Sequence, residues 1–125
     1  MEVDGRFKKG LQLFNEKKFF ECHDVIEELW LETSAKDPHR DLYKGVIQAA
    51  AAIYQYERGI ISGAIGLYET SVSNLEKYSP SRFGLNIKKL MDDMSILFRP
   101  LKGWKGEGKP PLPEELVPKL DYAVD

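Results

Sequence analysis

The amino-acid sequence predicts an all-α protein: about five antiparallel helices, in a bundle or as stacked helical hairpins, followed by an irregular C-terminal tail. Three observations lead there. Apolar residues recur at spacings of three and four in five separate stretches; short polar, Gly or Pro runs divide those stretches; and no alternating strand pattern occurs. Helices joined by short loops pack as antiparallel neighbours. A chain of 125 residues suffices for one core. It divides into a helical domain over 1–100 and a Gly/Pro-rich tail over 101–125 that packs on it.

Asp4 is placed to cap a first helix from about Gly5 to Lys17, on which Phe7, Gly10, Leu11 and Phe14 share a face. Asn15-Glu16-Lys17-Lys18 reads as a turn, and a second helix runs from Phe19 to near Thr33-Ser34. Asp37-Pro38, a capping acid followed by Pro at the first helical position, opens a third helix that reaches about Arg58. That helix is apolar or small around nearly its whole circumference, with only Asp41, Lys44, Gln48 and Gln55 as a polar strip. Such a helix belongs in the centre, with neighbours on several sides.

Gly59 suits a helix C-cap, and Ser62 can cap a fourth helix whose Ile61, Ala64, Tyr68, Val72, Leu75 and Tyr78 line one face. Ser79-Pro80-Ser81 ends it. A fifth helix, about Asn86 to Phe98, turns Ile87, Leu90, Met91, Met94, Leu97 and Phe98 inward and stops at Arg99-Pro100. Residues Lys102 to Pro111 have no periodicity and are expected to be irregular, with Pro113 to Leu116 forming one turn. Trp104, Leu112, Leu116, Val117 and Leu120 supply the apolar surface by which the tail would lie along the bundle.

The net charge of −2 argues against a general nucleic-acid or anionic-membrane surface. The longest weakly charged run, Gly45 to Tyr56, is too short to span a bilayer. One cysteine, Cys22, provides no internal disulfide and fits a reducing compartment, and the mostly polar N-terminus is no leader, so a cytoplasmic protein is expected.

The unusual stretch is Phe19 to Trp30. At about 100° per residue, Val25, Leu29, Cys22, Ile26, Phe19 and Trp30 form one apolar arc. His23 and Glu27 break the arc between those residues and Phe20 and Leu31, whereas Asp24, Glu28, Glu21 and Glu32 form the solvated wedge.

Phe14-Asn15, the aromatic pair Phe19-Phe20, and His23-Asp24-Val25-Ile26-Glu27-Glu28-Leu29-Trp30 resemble the signature of domain of unknown function family 309. So do Arg40 through Ala50, Tyr54, Gly59 and Gly63-Ala64. The resemblance covers about Leu11 to Leu75 in order and spacing. It departs at Asp24, where Glu is usual, and at Ile60, where Asn is frequent; neither departure alters His23 or Glu27. Phe14-Asn15 and the following aromatic pair also look like the start of a tetratricopeptide-type hairpin. The family resemblance implies a small all-helical protein and brings no biochemical activity with it.

Pairing helices two and three antiparallel sets Glu27 opposite Arg40, Tyr43 and Lys44, and His23 opposite Ile47 and Gln48. A buried carboxylate needs a partner. The first expectation is thus a closed polar network of His23, Glu27, Trp30, Arg40, Gln48 and Tyr54 that fixes register, Glu27 pairing with Arg40 and His23 with Gln48 or Tyr54. The protein would then be a non-catalytic interaction or scaffold domain that needs no cofactor. Its partner would be an unidentified protein or a second copy in a homodimer, met through apolar surface near Trp104 or on helices four and five, with neither nucleic acid nor membrane involved. The alternative is a metal-dependent or acid/base enzyme, hydrolase-like, using His23 and Glu27 at i and i+4. A third metal ligand would come from Glu57 or Glu28, His39 being a solvated first-turn residue. No second metal motif or activated nucleophile accompanies them. A small-molecule pocket among Phe20, His23, Tyr43, Tyr54 and Tyr68 is a further possibility.

Overall fold

The computed structural model describes residues 2–104, 106 and 110–123. Its helices are α1 (Gly5–Asn15), α2 (Phe19–Glu32), α3 (Arg40–Glu57), α4 (Ile61–Leu75) and α5 (Ile87–Phe98). They form an all-α fold in which α1 packs on α2, α2 on α3 and α3 on α4, with α5 against α4. The third helix is central: Leu42, Val46, Ala49, Ala50, Ala52 and Ile53 on it have no exposed surface. No described helix is long and apolar enough to cross a membrane.

Local chemistry explains the helix ends. The Asp4 carboxylate accepts the Arg6 backbone N–H at 2.8 Å, the capping bond that starts α1. Helix α3 starts at Arg40, later than Asp37-Pro38 implied: the Asp37 carboxylate accepts the His39 N–H at 2.7 Å and holds 37–39 as a turn before the helix. At its far end Gly59 has φ +77°, Gly59 N–H donates to Tyr56 O and Ile60 N–H to Gln55 O. That pair is a Schellman cap, which needs the left-handed conformation Gly supplies. Helix α4 begins at Ile61 without the expected Ser62 side-chain cap.

Two glycines set the helix crossings. A Cβ on Gly10 would collide with the Ile26 side chain, and one on Gly45 would lie 2.6 Å from Leu75 Cδ2. Backbone approach at these points lets α1 meet α2 and α3 meet α4 closely. Polar ties reinforce the second crossing: Ser71 Oγ donates to Gly45 O at 2.7 Å, Asn74 Nδ2 to Gln48 Oε1 at 2.7 Å, and the Tyr78 hydroxyl to Pro38 O at 2.7 Å.

The sequence contained an unread hairpin. Ser81–Arg82 (β1) and Leu85–Asn86 (β2) pair antiparallel around Phe83-Gly84. Both turn residues have positive φ, +53° and +76°, as a two-residue type I′ turn requires. The tail extends this sheet: Leu85 bridges Tyr122, Asn86 N–H donates to Asp121 O and Ala123 N–H to Gly84 O. Asn15 pins the same segment, donating to Leu120 O at 3.0 Å and accepting Leu120 N–H at 2.6 Å. Leu120 is buried, Leu112 and Val117 are partly buried, and Trp104 and Leu116 are exposed. In the stretch 102–111, Lys105 and residues 107–109 lie outside the described residues, and the others form no helix or strand.

Candidate functional site

Helix α2 has no side-chain cap at its start, and its outward face carries Phe20, His23, Asp24, Glu27 and Leu31 at helical spacing. Phe20 and Leu31 are 52% and 67% exposed, too much for core residues. Antiparallel to this face, α3 presents Ala51, Tyr54 and Gln55. Phe20 leans on Tyr54 with ring centroids 5.6 Å apart at 49°. Because Ala51 is small, a half-open cavity of about 150 Å³ remains between the helices, lined by Phe19, Phe20, His23, Ala51, Tyr54 and Gln55.

His23 forms one wall. Its Nε2 lies 3.3 Å from Glu27 Oε2 and its Nδ1 3.3 Å from Asp24 Oδ1. All three side chains are partly solvated: 32% exposed for His23, 41% for Glu27 and 59% for Asp24. An ion pair in that position contributes only about 0–1 kcal/mol to stability. The imidazole thus sits between two carboxylates, within reach of one from each ring nitrogen. Gln55 adds an unusual group: its Oε1 is shut away from solvent and accepts no hydrogen bond.

The closed network expected from sequence does not form. Glu27 and Arg40 make no ion pair among the described residues. Arg40 instead donates from Nε to Thr33 O at 3.2 Å and stacks over Trp30, its Cζ 4.2 Å from the ring centroid. Lys44 also caps that ring, with Nζ at 4.1 Å. Trp30, one turn beyond Glu27, thus takes both cations, and a guanidinium on an indole keeps its charge near water, which a buried carboxylate contact would not. The Trp30 Nε1 is buried without a hydrogen-bond partner. Gln48 faces α4, bonded to Asn74, and Tyr54 faces Phe20 and Arg58, whose Nη1 donates to the Tyr54 hydroxyl at 3.2 Å. The six expected network residues therefore separate into four local contacts.

The five-residue aromatic pocket also divides. Phe20, His23 and Tyr54 line the cleft, whereas Tyr43 packs on Phe7 at 5.5 Å and Tyr68 stacks on Phe98 at 4.8 Å. Glu57, on the last turn of α3, does not line it. Among the described residues no three His, Cys, Asp or Glu side chains converge in an arrangement that could hold a metal ion. His39 is no solvated residue: its side chain is 12% exposed, its ring lies 4.3 Å from that of Phe83, and Arg82 Nη1 donates to its Nε2 at 3.1 Å.

Sequence reasoning missed Gln55 and Ala51 as site residues. Gln55 read as one of the polar strip and Ala51 as filler. The available signal was their spacing with Tyr54, an i, i+3, i+4 set facing Phe20 and His23 once the helices are paired.

A family model described as domain of unknown function (DUF309) matches residues 7–67, from the first core residue of α1 into α4. A curated relative, the uncharacterized protein YpuF of Bacillus subtilis (strain 168), is 31% identical over 88 residues, 69% of this chain and 50% of the relative. The chain therefore spans about half the length of that relative. The whole cleft, from Phe19 to Gln55, lies inside the family match.

Proposed function

The chain belongs, through residues 7–67, to the DUF309 family, and on that footing we propose that it is a non-catalytic protein-interaction domain whose α2–α3 cleft receives one side chain of a partner protein. The observation that carries the reading is the size of the cleft. Sites for drug-sized ligands and cofactors enclose roughly 300–1,000 Å³. The cleft offers about 150 Å³, the volume of a cavity that takes one benzene ring. One inserted side chain fills it; a substrate held beside catalytic groups does not. Phe20 and Leu31, exposed on the same face of α2, give the surrounding partner surface apolar purchase.

The acid/base alternative draws support from one feature, the His23 ring between Asp24 and Glu27. None of the residues lining the cleft is a Ser, Thr, Cys or Lys nucleophile. The interaction reading accounts for both the small volume and the exposed aromatic residue.

Site-specific photo-crosslinking tests it. The full chain, carrying a benzophenone amino acid at position 20, is irradiated in its native cells with and without Ala51→Leu, which fills the cleft. The reading expects discrete adducts that Ala51→Leu removes while the fold is retained. Adducts that survive the filled cleft, or none at all, overturn it.

A further inference from the structure

We propose that His39 is a proton-sensitive latch between the hairpin and the start of α3: neutral, it accepts Arg82 and ties β1 to the helices; protonated, it turns Arg82 away. The neutral form is fixed from both edges of the ring. A guanidinium only donates, so the Arg82 Nη1 bond at 3.1 Å requires a lone pair on His39 Nε2. The proton of the neutral ring therefore sits on Nδ1, the nitrogen that faces Asp37 Oδ1 at 3.7 Å. The faces of the ring are packed as well, Phe83 lying 4.3 Å away and Tyr78 6.5 Å away between centroids.

Histidine is the side chain whose charge ordinarily changes between about pH 5 and 8. A proton on Nε2 removes the acceptor and sets one donor against another, with a cation on each side of a 3.1 Å gap. Asp37 does not relieve that contact. Its Oδ1 faces the other ring nitrogen and already accepts the His39 backbone N–H at 2.7 Å. The ring itself stays, because an aromatic face such as that of Phe83 tolerates a cation. Arg82 is the group that moves: it is an exposed residue, and its contact with Tyr78 is loose, Cζ lying 5.3 Å from the ring centroid.

The other charges on the elements packed around the ring are paired elsewhere. In the turn Glu76–Tyr78 that follows α4, Lys77 pairs with Asp41 and the Tyr78 hydroxyl donates to Pro38 O. On α1 the residue that reaches Phe83 is Phe7, and Asp4 pairs with Arg6. On α5, which packs on β1, Lys88 pairs with Asp92 and Lys89 with Asp93. Asp121 of the tail bonds Asn86, on the far strand of the hairpin. His39 is also the N-cap residue of α3, where the helix end is positive and a second cation is unwelcome. Asp37 alone pulls the other way. The acid form thus keeps Phe83 seated and loses the polar tie at β1.

The test is side-chain nitrogen NMR of the full chain, titrated between about pH 8 and 5. At the upper end the His39 ring should be the Nδ1–H tautomer and the Arg82 side chain ordered. As the ring takes up its proton, the Arg82 Nε order parameter should fall below about 0.6, the flexible range, with the midpoint of the His39 titration. His39→Gln offers an amide oxygen that accepts at every pH, and should keep Arg82 ordered throughout. An Nε2–H tautomer at the upper end overturns the latch. So does an Arg82 side chain equally ordered at both ends, or one released in His39→Gln as in wild type. Wild type alone can return the first two of these results, so a variant that fails to fold does not shield the proposal.

Discussion

Replacing Asn15 by Ala removes the two hydrogen bonds by which the end of α1 holds the C-terminal segment. A neutral hydrogen bond contributes about 1 kcal/mol net, and a buried donor left unpaired costs more. Leu120 is only 6% exposed, so its N–H loses its partner where water does not easily replace it. The expected loss is about 2–3 kcal/mol. For a chain of 125 residues, an unfolding entropy of about 2.1 cal/mol/K per residue turns that into a fall of about 8–11 °C in Tm. Calorimetry of wild type and Asn15→Ala reads the global effect. Amide hydrogen exchange reads its location, because the Asn86 amide donates to Asp121 O and the Ala123 amide to Gly84 O, joining hairpin and tail, and both should lose protection with Leu120. Asn15→Asp keeps the acceptor but sets an anionic oxygen against Leu120 O, so it should recover nothing. A Tm within about 2 °C of wild type, together with unchanged exchange at these three amides, would refute the clamp.

Four further outcomes follow from the same geometry. His23→Ala and Glu27→Gln should each unfold within about 1 kcal/mol of wild type, as half-exposed pairs do; losses of several kcal/mol in denaturant titrations would restore the buried-network reading. Gly45→Ala gains about 1 kcal/mol of helix propensity but forces Leu75 aside at about 1–3 kcal/mol, so it should destabilise wild type and stabilise a Leu75→Ala background, with additivity in that double-mutant cycle counting against the crossing. Burial pushes the Cys22 thiol up to about 12, so a thiol reagent at neutral pH should label it only at the rate of unfolding, and fast stoichiometric labelling of folded protein would contradict its burial. Arg6, through its side-chain hydrogen bonds first and its backbone N–H second, holds the Asp4 carboxyl below its ordinary value. Its folded-state value lies below the unfolded one, so its contribution is present above the unfolded value and fades as pH falls through the folded one; Asp4→Asn should flatten that acid limb in a pH series of melts, and an unchanged limb removes Asp4 from it.

The helices were legible because their cause is repetitive. Five apolar stripes at helical spacing each need a neighbour, and short loops leave few ways to supply one. The central place of α3 followed from its small residues, and the structure adds that at Gly45 the Leu75 side chain of α4 leaves no room for a Cβ. The hairpin escaped notice because a two-residue strand is too short to show a period. Its one local sign was Phe83-Gly84, and Phe is a poor advertisement for positive φ. Asn15 read as part of a turn because its partner, Leu120, lies 105 positions away and meets it through backbone atoms, which no side-chain pattern records.

The site fared differently, and for a reason of energetics. His23 and Glu27 interrupt the apolar arc of α2, and an interruption facing the core demands an internal partner. The demand disappears if the helix rotates until that edge meets water, and that rotation leaves Phe20 and Leu31 exposed. The helical wheel cannot choose between these outcomes, since both bury Cys22, Ile26 and Leu29. Arg40 decides it. A guanidinium stacked on Trp30 keeps part of its hydration, whereas one bonded to a buried Glu27 surrenders it, and such a pair seldom recovers that loss. With Arg40 and Lys44 both on Trp30, neither of these cations draws Glu27 inward. His23 and Glu27 stay at the surface, and the gap over Ala51 opens beside them.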